Sequence, residues 1–322
     1  MTKTSNPKFR RTLIIGPGLI GSSLARAFRA EELSDQIIGY DANPKVGARA
    51  EAINVIDQAY DTIKQAIVGC DLVVIAAPIG AYNEICNEIN NFAEADTLII
   101  DVGSVKGAVT EIAQSLRDDI YFVPCHPISG TEQSGPDAGF AELFRNRWCI
   151  LTPLARDDDA YKKAVGQAEE LWRTIGADVE IMDAAHHDVA LAVTSHLPHL
   201  IAFILVGAAD DIETVAQSEV IKYSAGGFRD FTRIAASDPI MWRDVFLHNR
   251  DAVLETLGRF SEELALMQRA IRWGDGEALE AAFSRGRALR REIVAAGQET
   301  PRPNFGRDPD AGQDPENTPG KS

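Results

Sequence analysis

"RTLIIGPGLIGSSLARAF", residues 11–28, changes its rule of spacing halfway along. The first half is a continuous apolar run rich in isoleucine, as a strand covered on both faces requires. The second half, continuing through "GSSLARAFRAEE", spaces its apolar residues as a helix does. Between them "GPGLIG" sets Gly16, Gly18 and Gly21 in the GxGxxG spacing, directly after the strand and opening the helix. Asp41 follows twenty residues beyond Gly21, at the end of a second strand, "QIIGYD". This strand, glycine turn, helix, strand and acid together predict a dinucleotide site. Gly16 makes the tight turn, Gly18 lets backbone approach a pyrophosphate, and Gly21 lets helix and strand pack closely. Leu19 and Ile20 open the helix whose N-terminus faces the phosphates. Asp41 accepts hydrogen bonds from the adenosine ribose and repels a 2′-phosphate. No arginine stands beside it in "DANPK", so NAD is expected rather than NADP.

Outward from this stretch, "DLVVIAAP", "DTLIIDVGS", "DIYFVPCHP" and "RWCILTP" are further strands alternating with helical patterns to about residue 153. The expected fold class is α/β, a Rossmann-type doubly wound, mainly parallel sheet spanning residues 1–153. After Pro153 the pattern turns helical. "DDDAYKKAVGQAEELWRTIG" begins with acidic capping residues. "DAAHHDVALAVTSHLPHLIAFILVGAA" is apolar almost all round and predicts a long buried helix bent at Pro198. "DPIMWRDVFLHNRDAVLETLGRFSEELALMQRAI" and "GEALEAAFSRGRALRREIVAA" continue the helices. Residues 154–296 therefore read as an all-α substrate and dimerisation domain, since one small copy supplies too little cover for such helices. Residues 297–322 hold five prolines, four glycines and one large apolar side chain, Phe305, and are expected to be disordered.

The formal charge of −16 argues against a nucleic-acid partner and against an anionic membrane surface. Cys70, Cys86, Cys125 and Cys149 form no CxxC pair, which suits reduced cytoplasmic thiols. The basic and apolar start imitates a signal peptide, but three glycines and a proline interrupt it. No apolar stretch is expected to span a bilayer.

Ligands of a doubly wound sheet lie beyond the carboxyl ends of its strands. Ala77, Pro78, Ser104 and His126 all occupy such ends. A serine and a histidine meeting beside a nicotinamide suit hydride transfer, with the histidine as base. Taken singly, His126 reads as well as a turn histidine and Ser104 as a helix cap before "VKGAV".

"GPGLIGSSLARAF", "DVGSVKGAV", "HPISGTEQSGPDAGF", "TSHLPHLIAFILV" and "GGFRDFTRIAASDPIMWRDVF" together resemble the prephenate/arogenate dehydrogenases of tyrosine biosynthesis, from about residue 11 to residue 290. The resemblance implies oxidative decarboxylation of a cyclohexadienol: a hydride leaves C4 for NAD, carbon dioxide departs and a phenol forms. It implies His126 as the base for the 4-hydroxyl and Ser104 beside both histidine and nicotinamide. It implies Arg233 as the holder of a substrate carboxylate, a task suited to the guanidinium fork, with Arg229 ranked lower. It also implies His199 near the substrate side chain, supported by Asp188, and Thr131, Glu132 and Trp242 around the pocket. Asp188 and His199 are eleven residues apart, about three turns and about 16 Å along one helix face, so a direct bond needs the chain to bend. His196 and His199 stand at i, i+3, without a third convergent ligand for a metal. Glu132 and Asp230 are open between an ion network with Arg233 and solvated charges. Prephenate and arogenate stay undecided; acidic Glu132 and Asp137 are candidates to favour the amine. Tyrosine inhibition, with no regulatory domain expected, falls on the active site. Two other functions are weighed. A 3-hydroxyacid dehydrogenase needs a helical-domain lysine, for which Lys222 is the nearest candidate. A non-catalytic NAD sensor has no use for Ser104, His126 and Arg233 together.

Overall fold

The structure is a computed structural model in which residues 8–131, 133–211 and 226–295 are described. Glu132, Lys222 and the tail at 297–322 lie outside the described residues. The chain divides into two compact units, 1–256 and 257–322.

Six parallel strands form the main sheet in the order β3-β2-β1-β4-β5-β6. They are β1 (Phe9–Ile15), β2 (Ser34–Tyr40), β3 (Gln58–Tyr60), β4 (Leu72–Ile75), β5 (Leu98–Asp101) and β6 (Tyr121–Val123). That order reverses direction between β1 and β4, which opens a crevice at their carboxyl ends. Side chains alternate across a strand, so the continuous apolar runs feed two cores at once. Ile14, Val74 and Ile100 enter the core containing helix α1 (Leu19–Ala30) and helix α6 (Asp159–Thr174). Leu13, Ile15, Val73, Ile75 and Ile99 enter the other, with helix α4 (Tyr82–Phe92) and helix α5 (Gly107–Ala113). The acidic start of α6 works as read: Asp158 accepts a hydrogen bond from Tyr161 N at 2.8 Å.

The segment read as one strand, "DIYFVPCHP", is two. Pro124 has no N–H to continue the ladder, and Asp101 at the end of β5 takes the next amide, Cys125 N, at 2.8 Å. The chain then leaves β6 as β7 (Cys125–Pro127) and pairs antiparallel with β8 (Trp148–Leu151), which pairs parallel with β9 (Asp178–Ile181). This peeling places His126 at the crevice.

The long apolar helix is helix α7 (Ala184–Leu191), a π-helical turn Ala192–His196, and helix α8 (Leu197–Asp211). Pro198 cannot donate to the Thr194 carbonyl, so the irregularity falls in the turn before the proline. Two expectations are corrected here. The helix is not buried all round: Val193 is 54% and Ile204 57% exposed. The run Ala184–Ala209, with mean hydropathy 2.0, does reach the length and apolarity of a bilayer span, because the helix continues through the proline. Its His187, Asp188 and His196 are nevertheless buried on hydrogen-bond partners within the protein, as helices of a globular core are. Helix α9 (Gly226–Thr232), a single 3-10 turn Arg233–Ala236, and helix α10 (Pro239–His248) follow, the last capped by Asp238 through Ile240 N and Met241 N, both at 2.8 Å. Helix α11 (Arg250–Trp273) runs into the second unit, which contains helix α12 (Gly276–Ala295) and exposes Leu264, Leu266, Ile271, Trp273 and Phe283.

Candidate active site

A cleft of about 670 Å³ opens at the carboxyl ends of β1, β4 and β5. The glycine turn forms one wall, and its three glycines differ in what surrounds them. Gly16 has φ +87, and a Cβ there would stand 2.6 Å from the Ala76 carbonyl oxygen. A Cβ on Gly21 would stand 2.3 Å from the Gly16 carbonyl oxygen. A Cβ on Gly18 would meet nothing within 4 Å. Two glycines thus serve packing and strain, while the third keeps open space before the N-terminus of α1, where a pyrophosphate fits. Leu19, Ile20, Ala77 and Pro78 line the same cleft. Asp41 lines it too, follows β2 and accepts a hydrogen bond from Asn43 N at 2.8 Å. Burial holds its carboxyl above the usual range, against that bond.

On the opposite side Ser104 and His126 border the cleft, with Thr131 on the loop beyond β7. No hydrogen bond among the described residues joins Ser104 to His126. Ser104 does not cap α5 either; Asp188 takes that place, accepting Lys106 N and Gly107 N, each at 2.8 Å. The other Asp188 partner is His187, whose Nδ1 lies 2.8 Å from Asp188 Oδ1. His187 Nε2 in turn lies 2.8 Å from His126 Nδ1. Asp188 and His199 make no direct bond among the described residues, in keeping with their separation along the helix. His199 Nδ1 donates to the Ser195 carbonyl at 2.8 Å, and its ring stacks on Trp242 at 3.7 Å. The π turn between positions 188 and 199 rotates one away from the other's face.

Neutral imidazole dominates this region. Burial pushes His126 well below the ordinary imidazole value, and the neighbouring His187 and the Lys106 ammonium would oppose its protonation further. Burial lowers His187 against the opposing pull of Asp188. His196, hydrogen-bonded to Asn249 at 3.1 Å, is lowered by burial to about 4. Burial also lowers His199. Beneath β7 the Lys106 ammonium is fully buried, 2.6 Å from Asp101 Oδ2 and 2.6 Å from the Cys125 carbonyl oxygen.

Arg233 is exposed at the start of its 3-10 turn, Trp242 is buried and His199 half-buried, and none of the three lines this cleft. Asp230 pairs with Arg229 at 3.3 Å, and Asp137 with Arg49 through a two-pronged contact. Sequence reasoning did not single out His187, Lys106, Asp101 or Asn249. His187 adjoins a residue already chosen, and "DVGSVK" contains both buried ions.

Two family descriptions match the chain: prephenate dehydrogenase, nucleotide-binding domain, over residues 24–181, and prephenate dehydrogenase, dimerization domain, over residues 183–285. The cyclohexadienyl dehydrogenase of Zymomonas mobilis is 40% identical over 88% of this chain and 95% of its own. The chain belongs to the prephenate dehydrogenase family. A second relative in the family, the prephenate dehydrogenase of Bacillus subtilis, is 34% identical over 86% of this chain and 74% of its own. The crystal structure of prephenate dehydrogenase from Aquifex aeolicus in complex with hydroxyphenyl propionate and NAD+ superposes with a TM-score of 0.80 at 33% identity, covering 88% of this chain and 98% of that one.

Proposed function

We propose that this chain catalyses NAD-dependent oxidative decarboxylation of prephenate, of arogenate, or of both, giving 4-hydroxyphenylpyruvate or tyrosine and so serving tyrosine biosynthesis. The observation that carries this reading is His126: a buried, neutral imidazole anchored through Nδ1 and bordering the cleft that the glycine turn and Asp41 also line. NAD, when bound, supplies the hydride acceptor; the open space at Gly18 and the carboxylate of Asp41 fit its pyrophosphate and ribose. His126 Nε2 takes the 4-hydroxyl proton as C4 is oxidised and returns it to that oxygen once carbon dioxide has left. Aromatisation drives the loss of the carboxylate, so the protein's work is positioning and proton transfer. Ser104 and Thr131 border the ring's place in the cleft. The family resemblance assigns a substrate carboxylate to Arg233 and the substrate side chain to His199, stacked on Trp242, although these side chains stand outside the cleft's lining, so both roles require the substrate to extend beyond that lining.

Exposed apolar side chains on α8 and in the second unit, with a match to a dimerization domain, support a homodimer. A monomer by light scattering at micromolar concentration would reject it. Residues 1–153 form the nucleotide-binding part and 154–296 the dimerising part in this reading. Four free, buried cysteines support a reducing cytoplasmic setting. Tyrosine, as a product-like phenol, competes at the active site. The deciding assay follows NADH absorbance with each substrate separately. His126→Asn keeps a hydrogen-bonding side chain but cannot accept the proton, so kcat should fall about 10²–10⁴-fold while KM moves little. A folded His126→Asn enzyme with near-normal kcat would place the base elsewhere.

A further inference from the structure

The line of side chains behind His126 assigns its protons. Asp188 Oδ1 and Oδ2 each accept a backbone amide at 2.8 Å, Lys106 N and Gly107 N respectively, as an ionised carboxylate does. An ionised carboxylate has nothing to donate. The proton in the 2.8 Å contact between Asp188 Oδ1 and His187 Nδ1 therefore belongs to His187. A neutral His187 with its proton on Nδ1 has only a lone pair on Nε2. That lone pair lies 2.8 Å from His126 Nδ1, with the two rings edge to face at 5.0 Å. His126 Nδ1 must then be the donor, which leaves the His126 lone pair on Nε2.

We propose that His187 is the positioning residue for the His126 base: anchored by Asp188, it accepts the His126 Nδ1 proton and fixes the tautomer whose Nε2 can accept a proton from substrate. This rests on the reading of His126 as the base. The logic depends on His187 staying neutral. A protonated His187 would donate from both nitrogens, reverse the contact and put the His126 proton on Nε2, where it blocks base action. The charged and titratable groups facing His187 are Asp188, Lys106, Asp101, His126 and His196. Full burial and the Lys106 cation outweigh the two carboxylates, so the neutral form holds. When His126 takes its proton, the resulting imidazolium keeps its Nδ1 bond to His187, and the Asp188 carboxylate stands at the far end of the line. Nothing in the sequence spacing pointed to this, because it joins β7 to α7, 61 residues apart.

The test reads tautomers directly. Protein labelled with ¹⁵N-histidine, examined by two-dimensional ¹H–¹⁵N spectroscopy, should show His126 and His187 both carrying their proton on Nδ1. His187→Leu removes the acceptor, and His187→Gln restores one near the same place through its side-chain oxygen. With prephenate, His187→Leu should lose between about 10 and 10⁴ in kcat, the range seen when a supporting partner or the right tautomer is lost, with KM for both substrates little changed. It should also shift His126 from the Nδ1–H form, and His187→Gln should recover most of the loss. A wild-type His126 protonated on Nε2 would overturn the proposal, whether or not the variants fold. So would a folded His187→Leu enzyme with unchanged kcat, or a glutamine variant no better than leucine. Near-normal kcat in His126→Asn instead sinks the base assignment, and the wild-type spectrum still judges the hydrogen-bond lock.

Discussion

Lys106→Met should injure stability and pH response together. The ammonium is fully buried, 2.6 Å from Asp101 Oδ2 and 2.6 Å from the Cys125 carbonyl oxygen. Removing one partner of a buried ion pair leaves an uncompensated charge and costs about 3–5 kcal/mol. Asp101 retains three donors, Cys125 N at 2.8 Å, Gly103 N at 2.9 Å and Tyr82 OH at 3.1 Å, which argues for the lower end of that range. The midpoint of thermal unfolding should drop by roughly 6–20 °C, at about 2–4 °C per kcal/mol for a unit of 150–250 residues. Burial chiefly holds His126 below its ordinary value and the same cation adds to it, so loss of the cation raises the His126 pKa and more of the base is protonated at a given acid pH. The acid limb of kcat/KM must then move to higher pH. Calorimetry and a pH profile read the two effects separately. Asp101→Asn combined with Lys106→Met should regain stability over Lys106→Met alone, since no unpaired charge remains. A stability loss below about 1 kcal/mol, or an acid limb that stays put or moves down, would refute the account of Lys106 as both counter-ion and tuner.

Gly18→Ala should leave the melting point unchanged yet raise KM for NAD, because its methyl enters open space meant for phosphate. Gly21→Ala, with its Cβ 2.3 Å from the Gly16 carbonyl oxygen, should instead cost about 1–3 kcal/mol of stability or more; thermal melts and NAD titrations separate the two, and equal effects would refute the division of roles. Asp41→Ser should narrow the ratio of kcat/KM for NAD over NADP by about 10–100-fold, the worth of one charged hydrogen bond, and an unchanged ratio would remove Asp41 from cofactor selection. Acid should destabilise the fold early. His196 has a folded value of about 4 against about 6.5 unfolded, so between those values the unfolded chain binds the extra proton and stability falls as pH falls, by about 3 kcal/mol in all. A His196→Gln protein should melt with a flatter dependence between pH 6.5 and 4, and an identical slope would contradict the burial assigned to that ring.

How much the sequence reveals depends on whether backbone or side-chain geometry decides. The glycine turn was legible because φ at Gly16 and the contacts of Gly21 are demands of one local stretch. The strands of the main sheet were legible because β4 and β5 are buried on both faces and therefore apolar throughout. β3 is three residues long, too short to show a period. β9 reads "DVEI", whose Asp178 and Glu180 face solvent and disguise it. The break at Pro124 needed knowledge of Asp101, 24 residues away, which captures the following amide. The pairing of Asp188 was missed for a different reason. Helix arithmetic from 188 to 199 assumes an unbroken α-helix, and the π turn at Ala192–His196 changes the phase. His187, one residue from Asp188, then became the partner that spacing rules do not consider.

Asp188 joins the fold to the chemistry. Its carboxylate caps α5 on the nucleotide-binding sheet, its carbonyl accepts from Asn249 Nδ2 at the C-terminal end of α10 at 2.8 Å, and its Oδ1 anchors His187. Gly107 is tied to the same arrangement: a Cβ there would lie 2.8 Å from Asp188 Oδ2. The sheet, the helix carrying Asp188 and the helix that Asn249 terminates are therefore docked through the residue that also orients the line to His126. A substitution at Asp188 acts on both the docking and that line, since it uncaps α5 and frees His187, and its kinetic loss has no single cause. A substitution at His187 leaves the cap on α5 and the Asn249 contact in place. The contribution of tautomer control to catalysis is for that reason measurable at His187 and confounded at Asp188.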